Sequence, residues 1–277
     1  KKIIFGVSLI SLFLGGGLVA WGYSQGGLTD LQNKTISEQD YVKKEVKDFN
    51  KIDIKSSSYN VLIKNGEVDK ATLSYYQKTK NPIDTSVKDG QLTINDNNSE
   101  LDSTSNKHIN FFGLKDLVRL STLNKEVRNK TIVITLPKKQ TIDFLKVDLA
   151  TGNLDLSNST IKQADINLNV GDLTFTKMIV SNLKANLDVG SVDSDHTLFT
   201  NSDLSIAMGD YSGDNLIFNG HNKLDVTSGD IEIVLKDYTL NVQADSHSGE
   251  VDITNNLKIS KDNTLTITSD LGDITVE

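Results

Sequence analysis

The 277 residues contain no cysteine, which excludes a disulfide framework, a cysteine zinc site, a cysteine nucleophile and the lipidated cysteine of a lipoprotein. With only two prolines, the chain must take its turns from Gly, Asn, Asp and Ser. Aromatic residues are 6% of the total, so Ile, Leu and Val must fill most of the core. A net charge of −8 lacks the basic surface that nucleic acid requires. That charge is unevenly placed. Residues 147–277 hold 21 Asp and Glu against 7 Lys and no Arg, a net of −14, which leaves +6 for residues 1–146. The two parts therefore meet different electrostatic surroundings.

Against these absences stands one long apolar run. Lys1-Lys2 precedes Ile3 to Tyr23, 21 residues without a charge. As a helix this run would be roughly 32 Å long, matching a bilayer core. Residues 1–27 thus read as a transmembrane anchor that crosses at 3–23. The leading lysines favour a cytoplasmic N-terminus, and Trp21 and Tyr23 suit the far interface. A cleaved signal peptide is the alternative, although Leu18-Val19-Ala20 puts leucine where a small residue is usual. Residues 28–48, of mixed charge and weak helical period, read as an extracytoplasmic stalk.

From Val147 onward the chain repeats. Gly152, Gly171, Gly190, Gly209, Gly229, Gly249 and Gly272 recur at gaps of 19, 19, 19, 20, 20 and 23 residues. An acid follows most of them: Asp172, Asp210, Asp230, Glu250 and Asp273, with Asn153 and Ser191 in two copies. Numbered from the glycine, apolar residues fall at −5, −3, −1, +2 and +4, as in Ile166, Leu168, Val170, Leu173 and Phe175. The change from odd to even offsets means that the turn shifts the alternation by one residue, keeping one face inward around a corner. A third apolar site follows at +8 or +9: Ile161, Ile179, Leu198, Ile217 and Tyr238. Three short inward segments in about 20 residues make one coil of a solenoid, whose stacked coils share a core. The expected fold is all-β, a right-handed parallel β-helix (β-solenoid) with one N-terminal transmembrane helix. An up-and-down meander, with a hairpin at each Gly-Asp, would leave the third site without a role.

The register reaches back to Lys51, with Ile54, Val61 and Ile63 on repeat positions and Tyr59-Asn60 in place of the glycine turn. Lys88-Asp89-Gly90-Gln91 turns into Leu92-Thr-Ile94, spaced as after a repeat glycine. The solenoid domain is therefore set at 49–277, with an inserted loop and short helix at about 95–130. Within the insert, Phe111, Leu114, Leu117 and Val118 share a helical face. That helix would cap the first coils or, with Lys115, Arg119, Lys125, Arg128 and Lys130 beside it, act as a lid or touch the membrane. At the other end, Asp270, Asp273 and Glu277 are expected to discourage edge pairing by the last strand.

The repeated turn, seen as Ser228-Gly229-Asp230 and Thr151-Gly152-Asn153, combines with the anchor and with Val133-Ile-Thr-Leu-Pro-Lys138. Together they resemble the bacterial "beta strand repeat" domain of unknown function, an adhesin-labelled family common in Gram-positive envelopes. The resemblance covers Phe49 to Glu277. It implies a surface protein, in some members an accessory of envelope stress responses, and it supplies no catalytic residues.

The residues themselves single out no reaction. Stacked carboxylates of Asp172, Asp210, Asp230 and Asp273 would lie about 4.8 Å apart, where repulsion in water is about 0.9 kcal/mol and tolerable on a solvated turn. A calcium ladder needs a Gly-Gly-x-Gly-x-Asp nonapeptide, which is missing. The seven glycines and four aspartates therefore read as structural turn residues. His108, His196, His221 and His247 share no ridge, so neither a metal site nor a triad is expected. No cofactor is expected either. The function expected is that of a non-enzymatic, single-pass cell-membrane protein whose extracytoplasmic acidic solenoid serves binding, adhesion or stress sensing. Its partner would be a cationic peptide, another envelope protein or a wall polymer, and not nucleic acid. A carbohydrate-active enzyme on a β-helix and a purely structural stalk are the alternatives.

Overall fold

The computed structural model describes residues 39–78, 82–96 and 130–277. The anchor, the stalk up to residue 38 and the insert between 97 and 129 lie outside the described residues. Among the described residues no helix is long and apolar enough to cross a membrane.

The first strands are β1 (Gln39–Glu45), β2 (Lys51–Ser56), β3 (Asn60–Gly66), β4 (Thr72–Lys78), β5 (Asp84–Lys88) and β6 (Gln91–Asn95). Then come β7 (Thr131–Pro137), β8 (Thr141–Ile142), β9 (Phe144–Thr151), β10 (Leu154–Ser157), β11 (Thr160–Ile161), β12 (Ala164–Val170), β13 (Leu173–Thr176) and β14 (Ile179–Ser181). The stack goes on through β15 (Leu183–Val189), β16 (Val192–Asp195), β17 (Leu198–Thr200), β18 (Asp203–Met208), β19 (Tyr211–Asn219) and β20 (His221–Ser228). It finishes with β21 (Ile231–Leu235), β22 (Asn241–Ser248), β23 (Val251–Ile253), β24 (Thr264–Leu271) and β25 (Ile274–Val276).

Each coil has three sides. In the coil β9–β10–β11, the long strand lies on a long face, the next on a middle face and the shortest on a narrow face; β12–β13–β14 and β15–β16–β17 repeat this. Each strand bonds the equivalent strand of the next coil in parallel, as in Leu154↔Leu173↔Val192↔Tyr211↔Ile231 down the middle face. A meander would pair antiparallel. Among the described residues the antiparallel registers, such as β4 with β7 and β5 with β6, lie at the N-terminal end. The solenoid therefore replaces the meander, and its inward side chains form one buried core.

The three corners explain the turn composition. At the long-to-middle corner Gly152, Gly171, Gly190, Gly209, Gly229 and Gly272 have φ between 143° and 150°. At the middle-to-narrow corner, six residues after the glycine, Asn158, Lys177, His196 and Asn215 are left-handed, with φ of 50–55°. At the narrow-to-long corner Asn182, Asn201 and Gly220 are left-handed as well. Glycine and asparagine are the residues for which this conformation costs least, so a chain with two prolines can turn three times per coil.

Five expectations need correction. The −1 residues do not face inward: Val189, Met208 and Leu271 are exposed, because the pairing register skips the −2 residue and the chain has begun its turn. The third inward site is +9, held by Ile161, Val180, Phe199 and Phe218; Ile179, at +8, is 48% exposed. Gly90 is no repeat corner. Asp89 and Gly90, both with positive φ, close a β5–β6 hairpin, and Leu92 and Ile94 pair with Ile52 and Ile54 on the long face. Part of the stalk segment is β1, which joins the sheet edge beside β4. Finally, the last strand in sequence is not the last in space. β24–β25 lie between β20–β21 and β22–β23, just as β2–β3 lie between β6–β7 and β9–β10. Each end of the solenoid thus holds one coil out of chain order.

Candidate functional site

The repeat corner is a set of hydrogen-bonded ladders. A Cβ on Gly171, Gly190, Gly209 or Gly229 would overlap the carbonyl oxygen of the glycine one coil earlier, and one on Gly272 would overlap that of Gly229. Each glycine N–H bonds a carbonyl of the adjacent coil, as Gly171 N does to Val189 O at 2.9 Å. The N–H two residues on does the same, as Leu173 N does to Ser191 O at 3.0 Å.

The N–H between them is served by a side chain. Asn60 Oδ1 accepts from Asn153 N, Asn153 Oδ1 from Asp172 N, and Asp172 Oδ1 from Ser191 N. Ser191 Oγ accepts from Asp210 N, Asp210 Oδ1 from Asp230 N, Asp230 Oδ1 from Asp273 N and Asp273 Oδ1 from Glu250 N, at 2.8–3.3 Å. A short side chain with an acceptor oxygen is all the position demands, hence Asn, Asp and Ser. Glu250 closes the ladder in space and serves no further coil. The carboxylates thus bond the neighbouring coil and not their own turn.

A consequence can be measured at Asp172. Asp172→Asn keeps the acceptor and should change stability by less than about 0.5 kcal/mol, whereas Asp172→Ala should cost about 1 kcal/mol. Thermal unfolding with and without calcium checks this. Calcium stabilisation of the native chain that vanishes in Asp172→Asn would show a ligand role instead.

The solvent side of the long face carries a pattern that the glycine-centred reading missed. Asp53, Lys146, Asp165, Lys184, Asp203 and Lys223 stand in register on successive strands, alternating in sign. The next row holds Lys55, Asp148, Asn167, Asn186, Ser205, Asp225, Thr268 and Asp245. Asn186 Nδ2 bonds Asn167 Oδ1, and Asn167 Nδ2 bonds Asp148 Oδ1, both at 3.0 Å. Lys223 bonds Asp225 and has Asp203 beside it, which raises its pKa. Counting residues at −6 from each glycine would have exposed the alternating row.

The middle face differs. Its strands from β10 onward contain no lysine, and Asp193, Asp195, Asp214, Glu232 and Asp252 stand on their solvent side. Asp155 on that face is 2% exposed, and among the described residues its Oδ1 has no hydrogen-bond partner. Burial pushes its pKa up to about 6 against the opposing pull of Lys64. Below that value the site holds the neutral acid.

Two other groupings merit attention. Ligand atoms of Asp195, His196 and Asp214 lie within 4.8 Å of one another at the middle-to-narrow corner, where His196 Nδ1 is 2.7 Å from Asp195 Oδ1. Asn215 Nδ2 already bonds Asp214 at 2.8 Å. The grouping is a solvent-facing turn.

A groove of about 510 Å³ runs beside Lys55, Asp96, Asp148 and Asn167. Asp96 accepts bonds from Ser56 and Ser57, and Asp148 from Asn167. Both carboxylates therefore position neighbours. The turn residues of the repeat are brought into one corner, and they do not converge on a cleft.

A candidate cell adhesion protein from Clostridium sporogenes is similar in structure, with 17% identity, 86% of this chain and 99% of its own covered, and a TM-score of 0.38. A candidate adhesin from Bacteroides fragilis shares 15% (87% and 97% covered, TM-score 0.40), and a candidate lipid binding protein from Parabacteroides distasonis 13% (87% and 98%, TM-score 0.39). Likeness at this level speaks of neither ligand nor partner. No curated protein matches the chain. The Toastrack DUF4097 family matches residues 49–277, and the chain belongs to that family.

Proposed function

We propose that this chain is a non-enzymatic, single-pass protein of the cell envelope, whose right-handed solenoid presents an acidic face to a basic partner outside the membrane. The observation that carries the reading is the contrast between faces. On the long face acids alternate with lysines, whereas the middle-face strands from β10 onward hold acids and no lysine. Carboxylates fixed in rows by the coil repeat sum into a field that attracts cations at a distance. The uncharged run 3–23 supports the anchor, and the +6 of residues 1–146 suits the part nearest anionic lipid.

Binding of a lysine-rich peptide to the full chain tests the electrostatic core of this reading. Affinity is expected to fall at least tenfold between about 0.05 M and about 0.5 M salt, since the attraction is screened within a few ångströms at the upper end. Salt-insensitive binding would sink the idea. Wall glycans incubated with the chain should stay intact, and released products would overturn the non-enzymatic part.

A further inference from the structure

Inside the stack each strand edge is covered by the next coil, and the C-terminal end breaks that rule. Among the described residues β22 pairs only with β24, and β23 only with β25. At the opposite end the sheets finish differently, with antiparallel β5 on the long face and with β4 and β1 on the middle face. At the β22–β23 end apolar residues surface. Val251 is 42% and Ile259 86% exposed, while Val242, Ala244, Ile253 and Leu257 are only partly buried against the core. A strand of eight residues with one edge unpaired among the described residues, flanked by apolar side chains, is a template for another strand.

The solvent-side rows say what that strand should carry. Asp165 stands between Lys146 and Lys184, Asp203 between Lys184 and Lys223, and Asp225 bonds Lys223 and Thr268. Asp245 ends its row. It has Thr268 in register on one side, and among the described residues no hydrogen bond or ion pair reaches its carboxylate. Glu250 ends the corner ladder in the same coil, and Asp252 is exposed on β23. A further strand would place a residue opposite Asp245 at roughly 4.8 Å, where Lys or Arg would pair with its carboxylate and an acid would repel.

We propose that the β22–β23 edge is the docking site for an extended basic peptide, with Lys or Arg opposite Asp245 and apolar residues at the alternate positions beside Val242 and Ala244. The proposal rests on the reading that the acidic solenoid takes a basic partner, and adds where that partner docks. A second copy of the chain fits less well, because two-fold pairing of this edge would bring like acids together.

The test uses a fluorescent Lys-Val-Lys-Val-Lys-Val-Lys peptide titrated into the full chain and followed by anisotropy. Asp245→Lys should weaken binding about tenfold or more, against about threefold or less for Glu232→Lys, the same charge change on β21 inside the stack. N-methylation of the peptide's valines, which removes strand-pairing N–H groups, should abolish binding. Equal losses from the two variants would overturn the edge site and leave the basic-partner reading standing. No binding at all would overturn both. A native dimer that excludes the peptide would give the edge to a second copy and overturn the proposal.

Discussion

Gly190→Ala is expected to destabilise the domain by about 3 kcal/mol or more, lowering the unfolding temperature by roughly 6–12 °C. Two effects combine at this position. Its φ of 149° lies in a region that side-chain-bearing residues rarely adopt, and such strain alone costs about 1–3 kcal/mol. The added Cβ would also overlap the Gly171 carbonyl, a backbone atom held in the parallel ladder that cannot rotate aside. Relief requires these two coils to separate, which would stretch bonds such as Gly171 N to Val189 O and Leu173 N to Ser191 O. Gly249→Ala makes an instructive comparison. Gly249 is outside that φ region and belongs to the outermost coil, which can fray without opening the stack. Its loss should be smaller and confined to faster hydrogen exchange in β22 and β23. A Cβ on Gly249 would overlap the Gly272 carbonyl too, so equal losses at the two glycines would show that close approach alone, and neither φ nor place in the stack, sets the cost.

Much of this fold was legible because each coil repeats the same physical problem. Gly-Asp at intervals of 19 or 20 residues, with inward residues at −5, −3, +2 and +4, is what a corner and two flanking strands require, and Ile166, Leu168, Leu173 and Phe175 are all buried there. Where a position mixed apolar and polar residues, composition misled. Val170, Val189 and Met208 look like core at −1, yet Thr151 and Ser228 share the row, and the turn has already rotated it outward. The gap of 23 between Gly249 and Gly272 was the signal for the out-of-order last coil. Only the structure shows that the longer link lets β24 return between β20 and β22. The acid after the glycine reads from sequence as a turn residue. Its bond partner, one coil away, could not be named without knowing which coils touch.

The second large effect is expected at Phe199. Its ring is 2% exposed and sits between Phe175, edge-on at 5.3 Å, and Phe218, stacked at 5.8 Å. Neighbouring coils have adjusted to it. Two middle-face +4 positions hold Ser194 and Gly213, small enough for Leu216 to turn in where a Cβ on Gly213 would press against it. Phe199→Ala removes the central ring from three successive coils, and because parallel ladders hold the strands in place, the walls cannot collapse to fill the space. A loss of about 3–5 kcal/mol follows for such a buried aromatic. The neighbouring apolar residue on β17 and its equivalents separate the two registers. Ile179→Ser, on the +8 row, should change stability by less than about 0.5 kcal/mol, because its side chain already faces solvent. Denaturant unfolding of both variants decides between +9 and +8 as the third inward row. A large loss from Ile179→Ser with a small one from Phe199→Ala would reverse the assignment, and with it the facing of every narrow-face strand.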